Sequence, residues 1–554
     1  MNFLSSLSAS GLLCVVGLAS PVPAQIPDAA RLLPTQSTAG MAVLAGGRVK
    51  PLETYAEESL RSISGKSRID GMSPLQVLWS LHFDPAWCRA QAWIRMDSQD
   101  LKSLCGLSPA ERRFSFDQLM ASDGLKAVVE KAKKLADEER TATQRDALAV
   151  YSKMERVAGF IDGSALTIVP WVKKGGGWSS PVDLRASSDV RAKKVLSTFG
   201  KLAEAWKRAD ASAFAEEASS LSGQLRSMDP ERYPERSELD RELLYNRLNA
   251  YGWAWKAYLL AFLVLLFFGF RDKVWLRRLG VLLALVGFGF HATGIGLRWA
   301  IAGRAPVSDM YESLVFMSWG VMAIGIGLEF IYKTRFFVFG ASLMGFLALM
   351  FSEHLPLDSS INPLVPVLAH TSWLSIHVMT IMLSYSAFAL AMGLAHIVLG
   401  IQIFRPGKTL VLRELSSLLY KTLQVGVLFL AAGIAFGAIW ANESWGRYWG
   451  WDPKETWSLI TFFIYMIIIH ARFAAWIGSF GLAILSIVGF LSVVMTYYGV
   501  NYVLASGLHS YGFSSGGTLF AAIYVLVEVA IILGAWVRYR RAIQDRILAR
   551  ESVK

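Results

Sequence analysis

Hydrophobic and polar positions divide the chain into two parts. Residues 25 to about 245 are charged and mostly polar, whereas from Trp253 onward long apolar runs follow one another almost to the C-terminus. Runs of roughly 20 apolar residues cross a bilayer as helices, and nine are predicted, near 253–270, 279–300, 310–331, 336–352, 373–403, 422–440, 457–470, 480–499 and 518–537. The polar part is large enough for a domain of its own. Within it, Glu130 to Val157 and Ser187 to Arg226 carry Ala, Lys, Glu and Arg with spaced apolar positions, which predicts amphipathic helices. Gly163 to Pro181 predicts a loop. At the start, an apolar centre from Gly11 to Ala19 is followed by Pro21 and then Val22-Pro23-Ala24. That reads as a signal peptide over residues 1–24, with an uncleaved anchor as the alternative because no Lys or Arg lies near Met1. The expected fold is an all-α polytopic membrane protein of about nine transmembrane helices (250–540). A mainly helical extracytoplasmic domain (25–245) precedes them and a short tail (541–554) comes after.

Charge adds an orientation. One set of alternate connections holds Arg271, Lys273, Arg277 and Arg278, then Lys333 and Arg335, then Arg405, Lys408, Arg413 and Lys421, then Arg472 and the tail from Arg538. The opposite set holds little beyond Arg304, Arg447 and Lys454. Basic connections stay in the cytoplasm, so the N-terminal domain is expected on the periplasmic side of a bacterial inner membrane and the C-terminus inside. The net charge of +12 is then a consequence of topology and does not point to nucleic acid. Of the three cysteines, Cys14 follows Leu13 and makes a poor lipoprotein site, while Cys88 and Cys105 lie in the exported part, where a disulfide is permitted. The chain has no CxxC and no CxxCH, so it is neither a dithiol oxidoreductase nor itself a c-type cytochrome.

Between two apolar runs stands WANESWGRYWGWDPKETW, Trp440 to Trp457, with five tryptophans and a tyrosine. Interfacial anchoring accounts for one or two such rings. The others, with Gly446 and Gly450 to turn the backbone, predict an aromatic platform for a large flat apolar ligand, and Asp452 to Glu455 look like the start of the next helix.

Ionisable side chains are costly inside a bilayer, which makes intramembrane histidines functional candidates. His377 lies at the outer end of the fifth run and His509 in an outer loop, on the platform side. His470, 13 residues after Trp457, lies ~20 Å deeper along a helix. His291 falls close to the bilayer middle and His396 near the inner surface, and neither depth excludes a pairing. His354 and His370 flank the Pro-rich outer loop and are weaker candidates.

These residues carry a resemblance. WGxxWGWDPKETW is similar to the tryptophan-rich WWD signature of haem-handling proteins, most of all the CcsA/ResC type of System II cytochrome c synthetase, over roughly residues 250 to 520. SWLSIHV around His377, GLHSYGF around His509, HAR at His470 and GRAPVSDMYES resemble further family segments, the last with Asp309 where Asn is common. GRVKPLETYAEESLRSISGK, Gly47 to Lys66, resembles the region that precedes the membrane part in some bacterial members. The resemblance implies haem b held by His377 and His509 as axial ligands against Trp440 and Trp457. Attachment would take place at Trp445, Trp449, Trp451 and Asp452, and Arg447 or Lys454 would pair with a propionate. It implies a second haem site at His470, with His291 as an internal candidate and a partner of the CcsB/ResB type usually supplying the other ligand. The implied activity is holocytochrome c synthase: addition of the two thiols of an apocytochrome c CxxCH segment across the haem vinyl groups. Two alternatives stand beside it: a haem transporter or chaperone whose ligation step belongs to a partner, and a non-enzymatic scaffold that docks apocytochrome.

Overall fold

The computed structural model describes residues 28–170, 177–268, 274–355, 357–364, 371–405, 407–504 and 518–551. The predicted signal peptide, His370 and His509 lie outside them. The chain forms two compact units that meet in sequence at Leu243 and Leu244.

The N-terminal unit is mainly helical, as its amphipathic pattern predicts. Its helices include Leu52–Ser64, Pro74–Phe83, Asp123–Lys133, Ala142–Asp162, Val190–Lys207 and Ala211–Met228. They bury Leu60, Trp79, Phe160, Trp206 and Phe214 in one core. Both predicted helical stretches are interrupted, for readable reasons. Thr141 and Gln144 form a reciprocal capping box that starts a new helix inside the first stretch. In the second, Ala209 adopts a left-handed φ of 54° and Asp210 caps the helix that begins at Ala211. A short antiparallel hairpin, Ala42–Ala45 with Arg48–Pro51, turns on Gly46 and Gly47, both at positive φ. Cys88 is buried and Cys105 half-buried, and both are free thiols. Burial pushes the Cys88 thiol well above its ordinary value, which suits a packing role.

In the second unit, nine helices among the described residues are long and apolar enough to cross a membrane. They are, in order, Ala250–Phe268, Val274–Ala302, Met310–Tyr332, Phe336–His354, Trp373–Phe404, Thr409–Trp445, Pro453–Phe473, Ser479–Val494 and Thr518–Glu551. The sixth starts well before the predicted 422, because Leu412, Leu415, Leu418 and Leu419 give residues 409–421 a buried stripe that continues the same helix. The eighth runs on as a π-helix over Met495–Leu504, a form that concentrates at functional sites.

The fifth and sixth helices pack most extensively. Gly426, Gly433 and Gly437 of the sixth make this possible. A Cβ on Gly426 would collide with Phe388, and on the other two it would lie 2.6 Å from Ile381 and 2.6 Å from the His377 ring. Small residues let helix backbones approach closely in a membrane, and here they press the N-terminal half of the fifth helix against the C-terminal half of the sixth. Glu312 is fully buried between two arginines. Arg298 Nε donates to it at 2.9 Å and Arg304 at 2.7 Å. Both arginines also donate to backbone carbonyls of the loop after the fourth helix, at Ser359, Ser360 and Asn362. Removing one member of such a triad would strand a buried charge, so the network ties that loop and the start of the third helix into one piece.

Candidate haem-handling cleft

The starts of the third, fifth and seventh helices and the ends of the sixth and eighth together enclose a cleft of about 170 Å³. Apolar side chains such as Val378, Ile381 and Ile434 line it together with His377, Trp440 and Trp449. Pockets that envelop a whole cofactor run to several hundred Å³, so this one suits a planar ligand held by one face or edge.

His377 Nδ1 lies 2.7 Å from the Gly433 carbonyl oxygen. A carbonyl accepts only, so Nδ1 carries the proton and donates, which leaves the ring's lone pair on Nε2. The ring lies parallel to Trp440, with centroids 6.0 Å apart at 11°. Trp440 is fully buried and meets Trp445 edge-on at 4.7 Å. The imidazole is therefore held in tautomer and in plane, as a metal-ligating histidine requires.

The Trp-rich connection turns twice. Gly446 ends the sixth helix in the left-handed conformation, φ 70°. The second left-handed residue is Trp451, φ 58°, and not Gly450. At Gly450 a Cβ would meet only the Arg447 guanidinium, the far end of an exposed side chain. Trp449 and Trp451 meet edge-on at 5.7 Å. Asp452 then starts the seventh helix through a capping box: its carboxylate accepts from the Glu455 N–H at 2.9 Å, and Glu455 accepts from the N–H groups of Asp452 and Gly450. The expected start of a helix at Asp452 to Glu455 is found there.

Trp449 lines the cleft with its indole N–H buried and, among the described residues, unpartnered. Asn501 Oδ1, on the π-helix, lines it in the same condition, while its amide donates to the Tyr497 carbonyl. Lys454 lines it too, and has no ion-pair partner among the described residues. Arg447 is exposed and off the cleft. A donor, an acceptor and a cation thus face a mixed space, to which Asp309, Glu455 and several hydroxyl side chains also contribute. Among the described residues no group of three His, Cys, Asp or Glu could hold a bare metal ion. A single oriented imidazole parallel to one indole, with other indoles set edge-on around it, fits instead a metal that arrives inside a flat macrocycle, which needs only axial protein ligands.

Of the predicted residues, the fold brings His377, Trp440 and Trp449 to one cleft, with Lys454 and Glu455. Trp445 and Trp451 flank it through ring contacts, and Asp452 acts at the helix start. Trp457 is half-buried in the first turn of the seventh helix, where its carbonyl accepts from Thr496. His470 is exposed near the other end of that helix, its Nδ1 bonded to the Met466 carbonyl one turn back. His291 is fully buried and uses both nitrogens, toward Tyr258 and the Val315 carbonyl. His396 likewise contacts the Met392 carbonyl and Glu528. In this arrangement both are occupied within the helix bundle. Sequence reasoning missed the Gly433 carbonyl, Asn501, Tyr497 and Arg298. For Arg298 a signal existed, a lone arginine inside an apolar run 14 residues before Glu312.

Comparison with known proteins agrees with this geometry. A family profile described as cytochrome C assembly protein matches residues 307–509, which hold the cleft. Protein NrfI of Wolinella succinogenes is 35% identical over 492 residues, covering 84% of this chain, more than the membrane unit alone could supply. This chain spans about half of that relative's length (53%). The cytochrome c biogenesis protein CcsA of Guillardia theta is 39% identical over 246 residues, 39% of this chain and 80% of its own. CcsA of Synechococcus sp. CC9902 is 36% identical over 251 residues, 39% of this chain and 81% of its own. With so large a part of the CcsA proteins matched at this identity, the chain belongs to the CcsA family of cytochrome c biogenesis proteins.

Proposed function

We propose that this protein holds haem b at the outer surface of a bacterial inner membrane and joins it to apocytochrome c. The observation that carries the reading is His377, fixed by the Gly433 carbonyl and Trp440 at the edge of the aromatic cleft. Haem is the substrate here. The chemistry is thioether formation: each cysteine sulfur bonds to the inner carbon of a vinyl group and its proton goes to the terminal carbon, with no change in oxidation state. Sulfur reacts as the thiolate, and positioning supplies much of the acceleration. His377 and His509 are the proposed axial ligands, and the substrate's own histidine displaces one of them as the product forms. Lys454 is the better placed of the two propionate candidates, because it lines the cleft and Arg447 does not. Trp445, Trp449 and Trp451 present the porphyrin edge. The N-terminal unit faces the periplasm, and a membrane protein of the CcsB/ResB kind supplies what this chain lacks of the inner haem site.

The test is expression in a host without cytochrome c assembly, with and without such a partner, reading covalent cytochrome and haem bound to the purified chain. Covalent product that depends on this chain and on His377 supports the synthetase. Haem binding without product under both conditions would assign ligation to another protein, and absence of haem would leave only the scaffold.

A further inference from the structure

We propose that a second cavity, at the other end of the membrane unit, binds one anionic phospholipid. The third helix connects the two sites. Its first residue, Met310, lines the outer cleft, and Ile326, Glu329 and Phe330 line the second cavity, ~30 Å away along the helix. This cavity measures about 460 Å³. Its wall is aliphatic, built from Leu265, Val281, Leu285, Ile326 and Val338, and its rim carries Arg277, Lys333 and Arg335. All three cations belong to the basic set of connections.

Glu329 is the one acidic residue lining the cavity among those described, and it is committed elsewhere. Its carboxylate accepts from the backbone N–H groups of Arg335, Phe337 and Val338, capping the fourth helix. The tight connection this cap holds puts Lys333 and Arg335 at left-handed φ values of 54° and 75°. Among the described residues none of the three cations has an ion-pair partner. Three cations with no ion-pair partner among the described residues, set around an apolar hole at the membrane surface, form an anion site with a hydrocarbon floor, and basic pockets between helices on that side bind anionic lipid headgroups. Inorganic phosphate would leave the aliphatic wall unused. A zwitterionic lipid would bring its own cation to a rim that already holds three. A lipid with a net negative headgroup matches both surfaces, its phosphate at the rim and an acyl chain along the wall.

The full chain, purified in detergent and offered equal phosphatidylglycerol and phosphatidylethanolamine, tests this by native mass spectrometry of retained lipid. The expected result is one phosphatidylglycerol retained in preference. Arg277→Gln should lower its retention about fivefold, the worth of one cation near such a headgroup, and Arg277→Gln with Lys333→Gln and Arg335→Gln more than tenfold. Leu285→Trp, which fills the wall and keeps every charge, should lower it as well. Arg405→Gln with Lys408→Gln and Arg413→Gln removes as many charges from the same side and should leave it unchanged. Equal retention of both lipids, equal loss in this control, or retention unaffected by both Arg277→Gln and Leu285→Trp would overturn the site. Displacement by inorganic phosphate alone would show an anion site without a lipid, and displacement by haem at matching concentration would reassign the cavity to haem.

Discussion

His377 lies flat against Trp440, their rings 6.0 Å apart and 11° from parallel, with Gly437 one turn before the tryptophan touching the imidazole edge. A methyl group at Gly437 would stand 2.6 and 2.7 Å from two ring atoms. Gly437→Ala must therefore tilt the ring or part the fifth and sixth helices, an overpacking cost of ~1–3 kcal/mol. The expected outcome is haem retention reduced by tenfold or more in a protein that still inserts, with partial recovery on adding imidazole. An unchanged absorption spectrum in Gly437→Ala would show that the stack does not set the ligand's geometry.

Asp452 offers a clean separation of roles. As the first member of a capping box it needs only an oxygen acceptor, so Asp452→Asn should keep assembly near the original level. Asp452→Ala should cost ~1 kcal/mol of helix stability and reduce assembly in proportion. Loss of covalent cytochrome in Asp452→Asn with haem still bound would instead give the carboxylate a part in the attachment chemistry.

Trp449 presents a buried indole N–H to the cleft without a protein partner among the described residues. A ligand oxygen there would gain a hydrogen bond worth ~1 kcal/mol. Trp449→Phe keeps an aromatic face and removes the donor, so haem retention should fall about fivefold. Retention equal to that of the unaltered protein would reduce Trp449 to a stacking surface.

Much of this site was legible in the chain because its signals are local. Five tryptophans within eighteen positions, a histidine near the start of an apolar run, and D-x-x-E after a turn each declare themselves within a short stretch. What stayed hidden depends on the meeting of helices far apart in sequence. The carbonyl that orients His377 belongs to Gly433, 56 positions away, and a backbone oxygen has no letter of its own. Asn501 reaches the cleft on a π-helix, whose wider turn breaks the periodicity by which a facing residue is found. Gly450 promised a left-handed turn that Trp451 makes instead.

In the N-terminal unit, His82 is a pH probe. Its Nδ1 bonds to the Phe160 carbonyl at 3.1 Å, and burial holds the imidazole below its ordinary value. Above the unfolded value of roughly 6.5 both states are neutral and the residue is without effect. As pH falls below that value the unfolded chain takes up the proton first, so stability declines, and the penalty is complete below the folded value. Melting of the full protein should therefore shift downward between pH 7.5 and 5.5, and His82→Gln should flatten that shift. A slope identical in His82→Gln would assign the acid sensitivity to other groups.

The last prediction concerns how haem reaches the cleft. His470 lies in the final turn of the seventh helix, exposed on its surface, with Nδ1 committed to the Met466 carbonyl and the ring's lone pair therefore on Nε2. Among the described residues no group of three ligating side chains accompanies it, and on the reading proposed above the CcsB/ResB-type partner supplies the second axial ligand. If haem enters from the cytoplasmic side, such a shared stop spares the iron and propionates a passage through hydrocarbon, where charged groups are costly. His470→Ala should then reduce haem reaching the outer cleft severalfold when the CcsB/ResB-type partner is present, with His377 and the tryptophans untouched. Reduced haem supplied from outside should restore much of the loss, because the outer cleft is still intact. A His470→Ala protein that fills its outer cleft normally from cytoplasmic haem would make this histidine a surface residue of the helix, and the route would have to run elsewhere.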